Sequence, residues 1–175
     1  QFGEGCTEWF NGIYAFAVWE EKRKRLFLCR DRIGVKPLFY HVGERVFTFA
    51  SEISAMLENP DIPHEIDTKG VAELLLLAPG RTAGYGIIGG IKEVKAGHCG
   101  YFTKDGLKLH PYWELKAAEH RENFAETAEH TRELVLDSIR RQLVSDVPVC
   151  TFLFVLHKKY NHFQVLNQDQ PMQHR

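Results

Sequence analysis

Residues 26–57 read LFLCRDRIGVKPLFYHVGERVFTFASEISAML, and the order of apolar and breaking residues in them decides the fold. Leu26 to Cys29 is an apolar run without helical period, stopped by the charged Arg30-Asp31-Arg32. Gly34 offers a backbone position free of Cβ constraint, and Pro37 fixes φ where a second strand, Leu38 to Tyr40, begins. Val42 to Arg45 is a polar, Gly-containing connection, after which Val46 to Ala50 alternates like a half-buried strand. Ser51 then suits an N-cap, with Glu52 in the first helical turn, where a carboxylate favours the positive end of the dipole. The stretch predicts strand, loop, strand, turn, strand and helix start, with its charges gathered into one turn.

Working outward, Asn11-Gly12 breaks a short helical stretch over residues 1–10, read as the end of a helix begun upstream. Ile13 to Glu20 (IYAFAVWE) follows as a buried strand, and the charged run Glu21 to Arg25 is a solvated hairpin turn. On the other side, ENPDIPHEID (58–67) is a surface connection. Asp67 caps a helix from Thr68 to Leu77, with Val71, Leu74, Leu75 and Ala78 at helical spacing. APGRTAGYG (78–86) is too rich in Gly and Pro for regular structure, and it lacks the preceding strand and Gly-Lys-Ser/Thr ending of a phosphate loop. A hairpin, Cys99–Thr103 with Leu107–His110, closes the region before Tyr112-Trp113. Lys116 to Glu122 is a polar linker, and Phe124 to Leu143 is a long amphipathic helix with Phe124, Ala128, Val135, Ile139 and Leu143 down one face.

Composition narrows the function classes. Across 175 residues, 44% are hydrophobic and 26% charged, ordinary for a soluble globular protein. A net charge of −1 gives no electrostatic reason to expect nucleic acid or an acidic membrane as partner. The four cysteines, Cys6, Cys29, Cys99 and Cys150, form no C-x-x-C pair, so spacing suggests neither a disulfide framework nor a zinc site. No apolar run approaches the roughly 20 residues of a membrane helix, and with no signal peptide the expected setting is cytoplasmic.

The central block resembles the class II (N-terminal nucleophile) glutamine amidotransferase domain, most closely that of glutamine-dependent asparagine synthetases. The pattern R-D-x-x-G-x-K-P-L-[YF]-[YF] is carried by Arg30, Asp31, Gly34, Lys36, Pro37, Leu38, Phe39 and Tyr40, and an [FY]-x-A-S-E junction by Phe49, Ala50, Ser51 and Glu52. IKEVKAGH (91–98), with Ala96 where the family has Pro, and Tyr112-Trp113 extend the likeness, which spans residues 5 to 151. It implies an α+β fold. Residues 1–115 would be the C-terminal part of an αββα sandwich, 116–123 a linker, and 124–153 the first helix and strand of an α/β, ATP-dependent synthetase domain. Residues 154–175 depart from the family and read as a disordered tail.

Two pieces of the family's chemistry are not found in these residues. After Ser145-Asp146-Val147-Pro148-Val149 the family continues S-G-G-x-D-S, whose backbone amides grip pyrophosphate; here Phe154 and Val155 stand in that place and no Gly follows Gly106. The family nucleophile is an N-terminal Cys whose own α-amine serves as base. This sequence begins with Gln1, and Cys6 aligns before the Asn-Gly turn. Cys29 with His41 is a formal Cys/His alternative, disfavoured because a thiol inside an apolar strand is inert.

The expectation is a fragment of an enzyme that converts ATP, aspartate and glutamine to asparagine, AMP, diphosphate and glutamate. Alone, residues 1–175 are expected to be inactive and to need no cofactor, while the parent uses ATP and Mg. Its partners would be those small molecules, and its expected assembly a homodimer. Arg30, Asp31, Gly34, Lys36, Ser51 and Glu52 are the candidate residues, either supporting the glutamine site and ammonia path or forming a structural ion-pair cluster that fixes the turn. The alternatives are a non-catalytic amidotransferase-like interaction module, or another class II enzyme such as an amidophosphoribosyltransferase.

Overall fold

The computed structural model describes residues 3–78, 80, 82–144, 150–157 and 160–167, the last two stretches by backbone alone. The arrangement is α+β, with antiparallel sheets and a few helices, and the backbone falls into two units, residues 1–116 and 117–175.

In the first unit, α1 (Cys6–Trp9) precedes β1 (Ala15–Glu20) and β2 (Arg25–Arg30), which pair through a turn that places Lys24 at φ +48°. Then come β3 (Phe39–Val42), β4 (Phe47–Ala50), α2 (Ile53–Leu57), α3 (Thr68–Leu76), β5 (Lys92–Glu93), β6 (His98–Thr103) and β7 (Gly106–Pro111). The first sheet has the order β1-β2-β6-β7 and the second β4-β3-β5. As β1 is an edge strand, it is half-buried, with Val18 and Trp19 about half exposed, rather than buried as its composition suggests. The strand with continuous burial is β2, which is paired on both sides.

Strand alternation sorts the apolar side chains into separate clusters. Leu26 and Leu28 of β2 point one way, joining Ala15, Ala17, Phe102, Leu107 and Leu109 of the first sheet to Leu38, Tyr40, Phe47 and Val94 of the second. Within this cluster Phe47 stacks on Phe102, centroids 4.1 Å apart. Phe27 and Cys29 point the other way, where they pack with Cys99, Tyr101, Phe16 and Cys6. A third cluster sets Phe39 and Ile91 against Met56 and Ile62.

Helix starts divide into one correct and one corrected expectation. Asp67 caps α3, its side chain accepting the Gly70 amide at 2.7 Å. Ser51 is not a cap: α2 begins at Ile53, Glu52 occupies the cap position, and no side-chain cap bond forms. The reason is local. Glu52 has the extended backbone of a cap residue (φ −130°, ψ 140°), so the first turn starts one residue later than the serine suggests. The spacing of α3 also misleads, because Gly70 and Glu73 are its buried residues while Leu75 and Leu76 are about four-fifths exposed.

In the second unit, α4 (Phe124–Gln142) starts with a capping box between Asn123 and Glu126. None of its residues is buried, and Val135 and Ile139 lie about half exposed. Strands β8 (Cys150–His157) and β9 (Tyr160–Asn167) pair antiparallel. Residues 154–157 and 160–167, expected to be disordered, thus run as strand, while residues 145–149, 158–159 and 168–175 lie outside the described ones. Among the described residues no helix is long and apolar enough to cross a membrane.

Candidate functional site

Arg30 ends β2 and turns its guanidinium inward. Nε donates to the Lys36 carbonyl at 2.7 Å, Nη1 to Val94 at 2.6 Å and Nη2 to Gly34 at 2.8 Å. Nη2 also lies 2.9 Å from Oε1 of Glu93, in an ion pair whose side chains are 8% and 5% exposed. Such a buried charge is tolerated only when paired and fully hydrogen-bonded, which is what the three carbonyls and the carboxylate provide.

Asp31 works in the opposite sense. Its Oδ1 accepts the amides of Ile33, Gly34 and Val35 at 2.7–3.1 Å, and Oδ2 accepts Lys36 at 3.0 Å. Burial alone would raise its carboxyl, but the four amides outweigh it and hold the group below the ordinary carboxylate range. Gly34 sits at φ +73° within this nest, and a Cβ there would stand 3.0 Å from Ala96 Cβ. The Asp31 carbonyl accepts the Gly97 amide, and the Arg30 carbonyl accepts the Tyr112 hydroxyl, itself 2.8 Å from the Tyr14 hydroxyl. Burial pushes Tyr112 and Tyr14 up, so both stay protonated donors. Gly97 is positive in φ and touches the Trp113 carbonyl, which an added Cβ would approach to 2.4 Å.

The six candidate residues therefore divide. Arg30, Asp31 and Gly34 are consumed in holding the loop. They do not form an ion-pair cluster with Lys36 and Glu52: the Arg30 partner is Glu93, and the Asp31 partners are backbone amides. Lys36 contributes its amide and carbonyl and exposes its side chain. Ser51 and Glu52 are exposed as well. Because Phe39 pairs with Ala50, the chain enters β3 through Lys36-Pro37 and leaves β4 through Ser51-Glu52 at the same end of the second sheet. Glu93, Gly97 and Tyr112 belong to the loop's support and lie inside motifs already quoted, but nothing in their spacing marks them as its partners.

No Cys/His pair arises from Cys29 and His41. Cys29 is fully buried, with its thiol pushed up to about 12 by burial, and His41 Nδ1 is engaged with the Gly90 carbonyl at 2.8 Å. Cys6 is half-buried, and burial raises it too. A thiol–imidazole contact does exist elsewhere, between Cys99 Sγ and His110 Nε2 at 3.6 Å. Among the described residues no group of three or more His, Cys, Asp or Glu side chains is placed to hold a metal ion.

A model of the glutamine amidotransferase domain matches residues 1–113, the whole span that contains this loop and its partners. The chain belongs to that family. Asparagine synthetase [glutamine-hydrolyzing] 3 of Bacillus subtilis (strain 168) is 49% identical over 153 residues, which are 87% of this chain and 25% of that protein. Asparagine synthetase [glutamine-hydrolyzing] 2 of the same strain is 31% identical, over 86% of this chain and 22% of the relative. A putative asparagine synthetase [glutamine-hydrolyzing] 2 of Methanocaldococcus jannaschii is 30% identical, over 87% and 30%. The chain spans less than a third of the length of each. An alignment of 153 residues does not fit inside residues 1–113, so the likeness continues from the glutamine amidotransferase domain into the second unit.

Proposed function

We propose that this chain is part of a glutamine-hydrolysing asparagine synthetase, which makes asparagine, AMP, diphosphate and glutamate from ATP, aspartate and glutamine. The observation that carries the reading is the continuous likeness to such synthetases across both units. In this reading the two sheets of the first unit are the inner layers of an αββα sandwich of class II type. The cluster shared by both sheets, with Cys6 of α1 and Met56 of α2 packed in the clusters on either side, supports it. The helix α4 then opens the synthetase domain, and the protein works in the cytoplasm as a homodimer.

In this reading the ATP and Mg site of the synthetase is built by residues other than these. The sequence after Gly106 holds no glycine from which to build a side-chain-free anion nest. What this chain contributes is position: the Arg30–Asp31 loop fixes the end of the second sheet from which Lys36, Ser51 and Glu52 project. There they back the glutamine site and the path of ammonia.

The test uses the complete protein that carries these residues, supplied with glutamine, aspartate and MgATP, with glutamate, pyrophosphate and asparagine followed separately. Aspartate-dependent pyrophosphate together with glutamate is the expected result; glutamate without it would point to a different amidotransferase. Glu52→Gln should raise the ratio of glutamate to asparagine more than it lowers the melting temperature. If that variant only melted earlier and kept its ratio, the coupling role would be wrong.

A further inference from the structure

The cysteines that spacing leaves unpaired meet in the first sheet. Cys29 and Cys99 are direct cross-strand partners in β2 and β6. Their pairing type follows from the flanking bonds. The Asp31 amide donates to the Tyr14 carbonyl, so odd-numbered β2 residues bond toward β1, and Cys29 bonds toward Phe16. The Tyr112 amide donates to the Gly97 carbonyl, so by the same parity Cys99 bonds toward His110 of β7. Both backbones face away from each other, which makes Cys29–Cys99 a non-hydrogen-bonded pair. Such pairs have Cα atoms about 4.5 Å apart, inside the range a disulfide spans.

The two side chains share one cluster, are both fully buried, and have Cys6 packed against them. Cys6 is half-buried and lines an open groove of about 460 Å³ with Phe10, Phe16 and Arg23. We propose that Cys6, Cys29 and Cys99 form a thiol–disulfide exchange site, in which a small-molecule disulfide enters at Cys6 and the oxidising equivalents end as a Cys29–Cys99 cross-strand disulfide. The Cys6 thiolate attacks the small disulfide, forming a mixed disulfide and releasing one thiolate. Cys99, its proton passed to His110 Nε2 at 3.6 Å, attacks the Cys6 sulfur and displaces the second thiolate. Glu4 Oε2, 3.6 Å from the same nitrogen, stabilises the imidazolium. Cys29 then attacks Cys99 and returns Cys6 as a thiol. In the balance, Cys29 and Cys99 each lose a hydrogen, and the small disulfide is reduced to two thiols. Burial pushes Cys29 up to about 12 and Cys99 up to about 11, so first attack falls to Cys6, the one of the three that is not fully buried.

The experiment treats the complete protein carrying these residues with glutathione disulfide under native conditions, then alkylates, digests and maps linked peptides by mass. The expected product joins the Cys29 and Cys99 peptides with loss of two hydrogen masses, and it raises the melting temperature, because it closes a long loop in the unfolded chain. Cys6→Ser should slow its formation by about tenfold or more without changing the product. A wild-type bridge through Cys6 or Cys150 as the end product, or a Cys29–Cys99 bridge that forms only in denaturant, would overturn the proposal. An undiminished rate in Cys6→Ser would overturn the entry role. The wild-type map needs no variant to fold, so the outcome stands even where Cys29→Ser or Cys99→Ser does not.

Discussion

Replacing Arg30 with methionine keeps the length and apolar stem of the side chain while removing its charge and donors. The carbonyls of Gly34, Lys36 and Val94 lose their partner, and Glu93 keeps its charge at 5% exposure with the guanidinium gone. Removing one member of a buried ion pair typically costs about 3–5 kcal/mol. The damage centres on the junction between residues 30–36 and β5, so it is best read as local opening by native-state hydrogen exchange. At about 1.4 kcal/mol per tenfold, amide protection in residues 33–38 and 93–97 should fall roughly 150- to 4000-fold in the complete protein. Arg141→Met, which removes a solvent-exposed pair with Asp137, serves as the control and should leave protection of α4 nearly unchanged. A loss below about tenfold in Arg30→Met would refute the view that this ion pair holds the two sheets' ends together.

Asp31 predicts an acid limit. Its folded-state affinity for protons is lowered, so it stabilises the fold above the unfolded value near pH 4 and loses that contribution as pH falls further, through the folded value. Asp31→Asn should weaken the fold at neutral pH, because an amide nitrogen would face the amides that a carboxylate oxygen now accepts. It should also flatten the stability slope below about pH 4, measured by urea midpoints across pH. Gly97→Ala should cost about 2 kcal/mol or more, since both φ +66° and the Trp113 carbonyl oppose a Cβ, whereas Gly106→Ala, at φ +104° in open space, should cost less; thermal melts rank them. The polypeptide 1–175 expressed alone should bind a hydrophobic dye, as Ile13 (49%), Trp19 (52%), Leu75 (79%) and Leu76 (80%) are exposed. A few hundred Å² of apolar surface at about 25 cal/mol per Å² amounts to several kcal/mol, so a sharp monomeric melt without dye binding would contradict this.

The local grammar of the sheets was legible in the sequence because it is short-range. The apolar run Leu26–Cys29, the break at Arg30, Gly34 in the loop and the Asp67 cap each need only a few neighbouring residues, and each appears where expected. The misreadings concern partners. Arg30 finds Glu93 and Val94 more than sixty residues away, and no pattern within residues 26–57 points to them. Ser51 looked like a cap because its type suits one, yet the cap position falls on Glu52. Cys29 and Cys99 read as unpaired cysteines until the register set them opposite. In α3, apolar spacing matched a helix without saying which face the rest of the unit covers: the contact side is built on Gly70, whose missing Cβ lets the Ile87 carbonyl come close.

The nest that Asp31 makes also acts as a gauge of length. One carboxylate spans the amides of residues 33 to 36, while Arg30, next to it in sequence, grasps carbonyls at 34, 36 and 94. Neither grip survives if a residue is inserted or removed between 31 and 36, because every amide after the change would rotate away from its acceptor. By contrast, the Gly43–Val46 turn closes on a single backbone bond. Natural variation in loop length should therefore collect at that turn and be missing from 31–36, whatever substitutions those positions accept.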